Sequence, residues 1–341
     1  MVVRISRALP SGVILPRRWR LELIQGKALL NQTSPTRFTT PAQTGSRAAL
    51  SLVPPLQQKP KYSPPALWHL LSLDAPTVAA LWTWFVARCC GVALPWRAPA
   101  TMFLAVWMLY AADRLLDARL LDTEPATALP ELEERHRFHH RHKKAFLAGI
   151  AGASILLTAL LPRINFAALR LYALLASLLF AYFFLIHIYP SNNSSASAHR
   201  LPKELAVGVF FPAAVFIPTV ARAPGLRLTL APAALLFAAV CTLNCLYLYA
   251  WEHPGSRESA HWTTRFATRH LRALSGITAL LCAVVFAFEA RGVALLVVAS
   301  GVSALLLLLL HLLRDRFAAI HLRAAADMAL LTPLLLVFFL R

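Results

Sequence analysis

The chain reads as an all-α polytopic membrane protein of about nine transmembrane helices, and three observations carry that expectation. Its 341 residues are 58% hydrophobic and only 14% charged, whereas soluble domains run at roughly 45–50% apolar and about 25% charged. Apolar segments long enough to cross about 30 Å of hydrocarbon recur from Pro65 onward, separated by short breaks. Lys and Arg concentrate in alternate breaks, the asymmetry that orients spanning helices. Length alone would admit two soluble domains; a mean hydropathy of +0.59 favours one bundle.

Nine segments are expected to be helical: 74–95, 98–118, 145–162, 165–189, 204–221, 228–252, 271–290, 292–313 and 324–340. Pro95, Pro99, Pro162, Pro190, Pro224 and Pro254 stand at or near the breaks, where a residue without a backbone N–H costs least. Pro212 and Pro218 lie inside the fifth segment and predict a kink. Cations crowd the breaks at 119–144, 190–203, 253–270 and 314–323, while the others hold only Arg97, Arg163, Arg222, Arg227 and Arg291. The positive-inside rule therefore puts the N-terminus and the crowded breaks in the cytoplasm, in a bacterial cytoplasmic membrane. The net charge of +19 belongs to these loops and to lipid headgroups, not to nucleic acid.

Residues 1–65 differ in kind from the transmembrane part, 66–341. The first sixty hold nine Lys or Arg against one acid, Glu22. They are expected to form a basic, disordered tail; an organelle transit peptide and an upstream start codon are the other readings. The five cysteines, Cys89, Cys90, Cys241, Cys245 and Cys282, lie in apolar segments and are expected to pack as free thiols.

Asp113 and Asp117 end the second segment one helical turn apart, on one face and about 6 Å from each other. Carboxylates that near an apolar helix end repel one another, and a divalent cation would relieve the repulsion. Asp122, nine residues past Asp113, falls half a turn away and reads as a solvated loop acid. The run from Arg135 to Lys144 holds four histidines and five cations, with Arg137 and Arg141 among those able to clamp a polyanion. It serves equally as an orienting loop. Lys203 and Glu204 open the fifth segment. At the end of the sixth stand Asn244, Tyr247, Trp251 and Glu252, sharing one broad helical face.

An aspartate motif ending the second span, a polar cluster ending the sixth and nine spans in all resemble the UbiA-type intramembrane prenyltransferase superfamily. That family's first motif reads Asn-Asp-x-x-Asp-x-x-x-Asp, and Asp113-Arg114-Leu115-Leu116-Asp117 is similar to its second half. The stretch from Lys203 to Pro212 looks like the segment opening the fifth span of quinone-pathway members. The resemblance covers about residues 70–340. It departs at Leu109 and Tyr110, where the motif has Asn-Asp, and at Leu248, where the second motif has its first Asp.

The resemblance implies a UbiA-like bundle that transfers an isoprenyl group from an isoprenyl diphosphate to an acceptor dissolved in the membrane. It implies Mg²⁺ on Asp113, Asp117 and Glu252, the three acids that would also be catalytic. Arg114, Lys203, Arg137 and Arg141 would neutralise the diphosphate, and Asn244 and Tyr247 would contact substrate. Tyr247, Trp251 and Phe184 would face the allylic cation. A catalytically degenerate member that binds a prenyl lipid or a partner protein is the alternative. A transporter is the third reading; no internal repeat speaks for it.

Overall fold

A computed structural model describes residues 62–120, 137–188, 203–252, 261–289 and 291–340, all within one unit, Pro60–Arg341. The basic tail, Asp122 and the loops at 121–136, 189–202 and 253–260 lie outside the described residues. Among the described residues every regular element is helical, as the composition predicts.

The chain enters through α1 (Pro64–Leu70), turns through 90° and continues as α2 (Asp74–Cys89). Local chemistry accounts for the turn. Ser72 takes a left-handed conformation with φ 58°, its N–H bonds to His69 O at 3.0 Å, and that of Leu73 to Trp68 O at 3.1 Å. This pair of bonds terminates a helix by satisfying its last carbonyls, normally with glycine at the left-handed position. A serine there accepts steric strain. Its hydroxyl finds a partner in His139 Nε2 at 3.2 Å. The same device ends α2, now with Gly91 at φ 67° and Val92 N–H on Ala87 O at 2.9 Å. The first apolar segment thus stops short of residue 95.

The remaining helices are α3 (Arg97–Leu120), α4 (Lys143–Leu160), α5 (Phe166–Ile188), α6 (Lys203–Arg222), α7 (Arg227–Glu252), α8 (Trp262–Arg269), α9 (Leu271–Phe288), α10 (Arg291–Leu313), α11 (Ala319–Met328) and α12 (Pro333–Leu336). Helix α6 runs on through Pro212 and Pro218. The last apolar segment is bent: α11 and the stretch from Pro333 to Phe339 meet at 41°.

Among the described residues five helices are long and apolar enough to cross a membrane, and up to seven spans result if each bent pair counts as one. The five are Lys143–Arg163, Glu204–Arg222, Pro224–Glu252, Leu271–Phe288 and Gly292–Arg316. Helix α3 is not among them; Arg97, Asp113, Arg114, Asp117 and Arg119 lower its apolar character. Large apolar side chains cover the outer faces, among them Ile155, Phe166, Phe180, Leu235, Leu280 and Phe338. Such a surface suits hydrocarbon rather than water as its solvent.

One continuous core joins α2, α3, α6, α7, α9, α10 and α11. At its centre Trp82 stacks on Phe237 with ring centroids 3.9 Å apart, and its indole N–H reaches Leu330 O at 2.7 Å. Helices α6 and α7 approach so closely that a Cβ at Gly208 would overlap Thr242 Oγ1. Helix α4 packs on α3 through Phe146, Ala111 and Leu115, and α5 packs on α6 through Ala168, Ile217 and Ala221. All five cysteines are thiols that take no part in a disulfide, as expected.

Candidate functional site

Two polar regions share helices α3 and α7. The first is a buried cluster built where the two bent pairs meet. The turn after α1 delivers Asp74 to the first position of α2, where an acid favours the helix dipole. Its Oδ1 accepts the Ala75 N–H at 2.9 Å. Its Oδ2 lies 2.5 Å from His69 Nδ1 and accepts Arg114 Nη2 at 3.3 Å. Arg114 Nη1 also donates to His69 O at 2.6 Å, so this guanidinium from α3 braces the turn as well as the acid. From α11 comes Asp327, whose Oδ2 is 3.9 Å from His69 Nδ1. Its Oδ1 accepts Asn244 Nδ2 of α7 at 3.0 Å. Arg114 is only 4% exposed and Asn244 only 6%. Buried charges persist in such surroundings because they are paired. Here two carboxylates and an imidazole crowd around Arg114, and a second guanidinium, Arg323 of α11, acts on Asp327 while also pairing with Glu252.

Beside the cluster is a small cavity of about 30 Å³, lined on α3 by Tyr110, on α6 by Val207 and Phe211, on α7 by Cys241, Asn244 and Cys245, and on α11 by Asp327. Helix directions follow from the contacts. Trp82 meets Phe237, while Asp74, earlier on α2, shares Asp327 with Asn244, later on α7. So α2 and α7 run antiparallel. The Arg114–Asp74 pair joins the end of α3 to the start of α2, which makes α3 and α7 parallel, ending at the same end of the bundle.

That shared end is the second region. Met102, Val106 and Tyr110 of α3 pack toward the main core. Positions 113 and 117 continue their stripe at the 4-4-3-4 spacing of one helical face. Asp113 is half-buried, and the side chain of Asp117 lies outside the described residues. Lys203 begins α6 one turn before the cavity wall, its side chain also outside the described residues. Glu252 ends α7 and forms an ion pair with Arg323 of α11, both about one-fifth exposed (20% and 21%).

The other residues expected at the site divide. Arg114 and Asn244 belong to the buried cluster, not to the acidic end. Tyr247 is buried and shares a 2.7 Å hydrogen bond with Ser275 Oγ, and Trp251 Nε1 donates to His311 Nδ1 at 3.2 Å. Neither lines the small cavity. Phe184 is 53% exposed on the outer face of α5, among the lipid-facing side chains. Arg137 and Arg141 are exposed on a short helical stretch before α4. Two features were missed. His69, Asp74 and Asp327 carried a signal, ionisable side chains at or within apolar segments. A cleft of about 230 Å³, lined by Arg269, His270, Arg272 and His311, had a weaker one.

No family model matches the chain, and searches of curated proteins and of solved structures likewise give no match.

Proposed function

We propose that the protein is a UbiA-like intramembrane prenyltransferase, a nine-span bundle that moves an isoprenyl group from an isoprenyl diphosphate to an acceptor in the bilayer. One observation carries this reading. Helices α3, α6 and α7, which also carry the acidic run, Lys203 and the polar cluster, together line the small cavity beside the buried cluster. Those are the segments on which the sequence resemblance rests.

The donor set at that end fits Mg²⁺ in part. Two carboxylates one turn apart are enough for an ion that commonly takes one or two carboxylates and completes its shell with water and substrate phosphates. Asp113 and Asp117 would hold it. Glu252 is balanced by Arg323 and fits less well as a third ligand; its role becomes the orientation of Arg323. When bound, the ion offsets the charge that develops on the departing diphosphate. Lys203 binds the same diphosphate, and Arg269 and Arg272 offer further cations near the end of α7. In the transfer, the allylic C–O bond breaks with its electron pair leaving on the diphosphate, and an acceptor carbon forms the new bond and releases a proton. The apolar walls keep water from the cation.

The test is to incubate purified protein with labelled isoprenyl diphosphates of several lengths and an acceptor extract. Mg²⁺-dependent prenylated product is expected. A protein inert toward every donor, yet binding a prenyl lipid without Mg²⁺, would make the non-catalytic reading the right one. For orientation, cysteine introduced as Ala128→Cys should react with impermeant maleimide only in opened or inverted membranes.

A transporter is favoured by a different observation. Two bent helix pairs meet at a buried ionisable cluster, as the broken helices of many transporters meet at their ion sites. Protein-dependent proton flux in vesicles, with no prenyl product, would select it.

A further inference from the structure

We propose a cation site distinct from the acidic end: His69, Asp74, Asp327 and Asn244 hold one divalent transition-metal ion, of the zinc or manganese type, where the two bent helix pairs meet. The proposal stands apart from prenyl transfer and survives without it. One donor atom from each of His69, Asp74 and Asp327 lies within 4.8 Å of the others. Donors at about 2.1 Å from a common ion sit about 3 Å apart when adjacent and about 4.2 Å apart when opposed. The three side chains need only small rotations to share an ion.

A second observation points to the same place. Asn244 is 6% exposed, and its Oδ1 is buried with no hydrogen-bond partner. Its Nδ2 is already committed to Asp327, and the residue lines the cavity that Asp327 also lines. A buried amide oxygen without a donor is rare and calls for a ligand. A proton on Asp327 would balance the cluster's charge, yet it leaves one atom of the Asn244 amide unsatisfied whichever way the amide is turned. A metal ion answers both the convergence of two carboxylates on one imidazole and the spare oxygen.

The donor chemistry narrows the ion. One imidazole, two carboxylates and an amide oxygen suit zinc, manganese or ferrous iron, whereas magnesium and calcium prefer oxygen alone. Arg114 is a positioning residue. Its contacts to Asp74 Oδ2 and to His69 O hold the carboxylate and the turn that presents the imidazole, a supporting role typical of groups behind metal ligands. Bound there, the ion ties the α1–α2 turn to α7 and α11.

The experiment uses the full-length chain purified in detergent without chelator. Elemental analysis should find about one zinc or manganese per chain. Chelation should lower Tm, and ZnCl₂ or MnCl₂, but not MgCl₂, should restore it. Asp327→Asn should abolish binding and Asn244→Ala should weaken it about 10- to 100-fold, while Asp113→Asn should leave it unchanged. That last arm separates this site from the Mg²⁺ proposed for catalysis. Substoichiometric metal in the wild type, with a Tm indifferent to chelator, ZnCl₂ and MnCl₂, would overturn the proposal whether or not the variants fold. So would binding that Asp113→Asn removes and Asp327→Asn leaves intact.

Discussion

Asp113 and Arg114 are neighbours in the chain with opposite surroundings, and the difference is one step of 100° around α3. Arg114 turns into the bundle, 4% exposed, and is committed to Asp74 and to His69 O. Asp113 stays half-buried on the stripe that follows Tyr110 toward the end of the helix. The same contrast repeats on α7, where Asn244 is enclosed by the cluster and Glu252 sits two turns later in a partly exposed ion pair. One region pairs its charges out of solvent; the other keeps its charges only partly buried. Charge in a membrane helix therefore marks two different roles, and burial separates them.

The largest expected effect tests the enclosed region. Arg114→Ala leaves Asp74 buried against His69 and Asp327 without its cation, and removing one partner of a buried pair costs about 3–5 kcal/mol. Thermal unfolding in detergent should show a large loss of Tm, or no folded protein. A Tm within a few degrees of wild type would remove the contrast.

Next comes the partly buried region. Asp113→Asn should cut prenyl transfer by about 10²- to 10³-fold, the usual scale for a charge-stabilising position, with Tm unchanged. Loss of turnover and Tm together would make Asp113 part of the scaffold instead.

Glu252→Gln sharpens the comparison from the other side. The ion pair with Arg323 is partly solvated, so its loss should cost no more than about 1 kcal/mol. Turnover should fall far less than in Asp113→Asn; an equal fall would restore Glu252 as a metal ligand. Smallest of all, Asp122→Asn should change neither Tm nor turnover measurably, since the sequence reads position 122 as a solvated loop acid.

Much of the architecture was legible. The helical character of the described residues and the cysteines' place among apolar side chains follow from composition and local chemistry. The span count was less so. Asp113, Arg114 and Asp117 make α3 less apolar than a free-standing span, and the last segment bends between Met328 and Pro333. Of the residues expected at the site, Arg114 and Asn244 lie in the buried cluster, beside neighbours the sequence did not indicate. Periodicity gives the face a residue occupies, not the helix that face meets.

His69, Asp74 and Asp327 show where that limit lies. Five residues separate the first two, and only the left-handed Ser72 turn brings their side chains together. Asp327 arrives from the far end of the chain because α11 packs beside α1 and α2. By itself the sequence determined that this chain is helical, apolar enough for a membrane and acidic at the end of one helix, since those properties depend on residue type and local spacing. Which charges would be enclosed and which left partly exposed was decided by the tertiary structure alone, because burial and pairing belong to helices that meet across long stretches of chain.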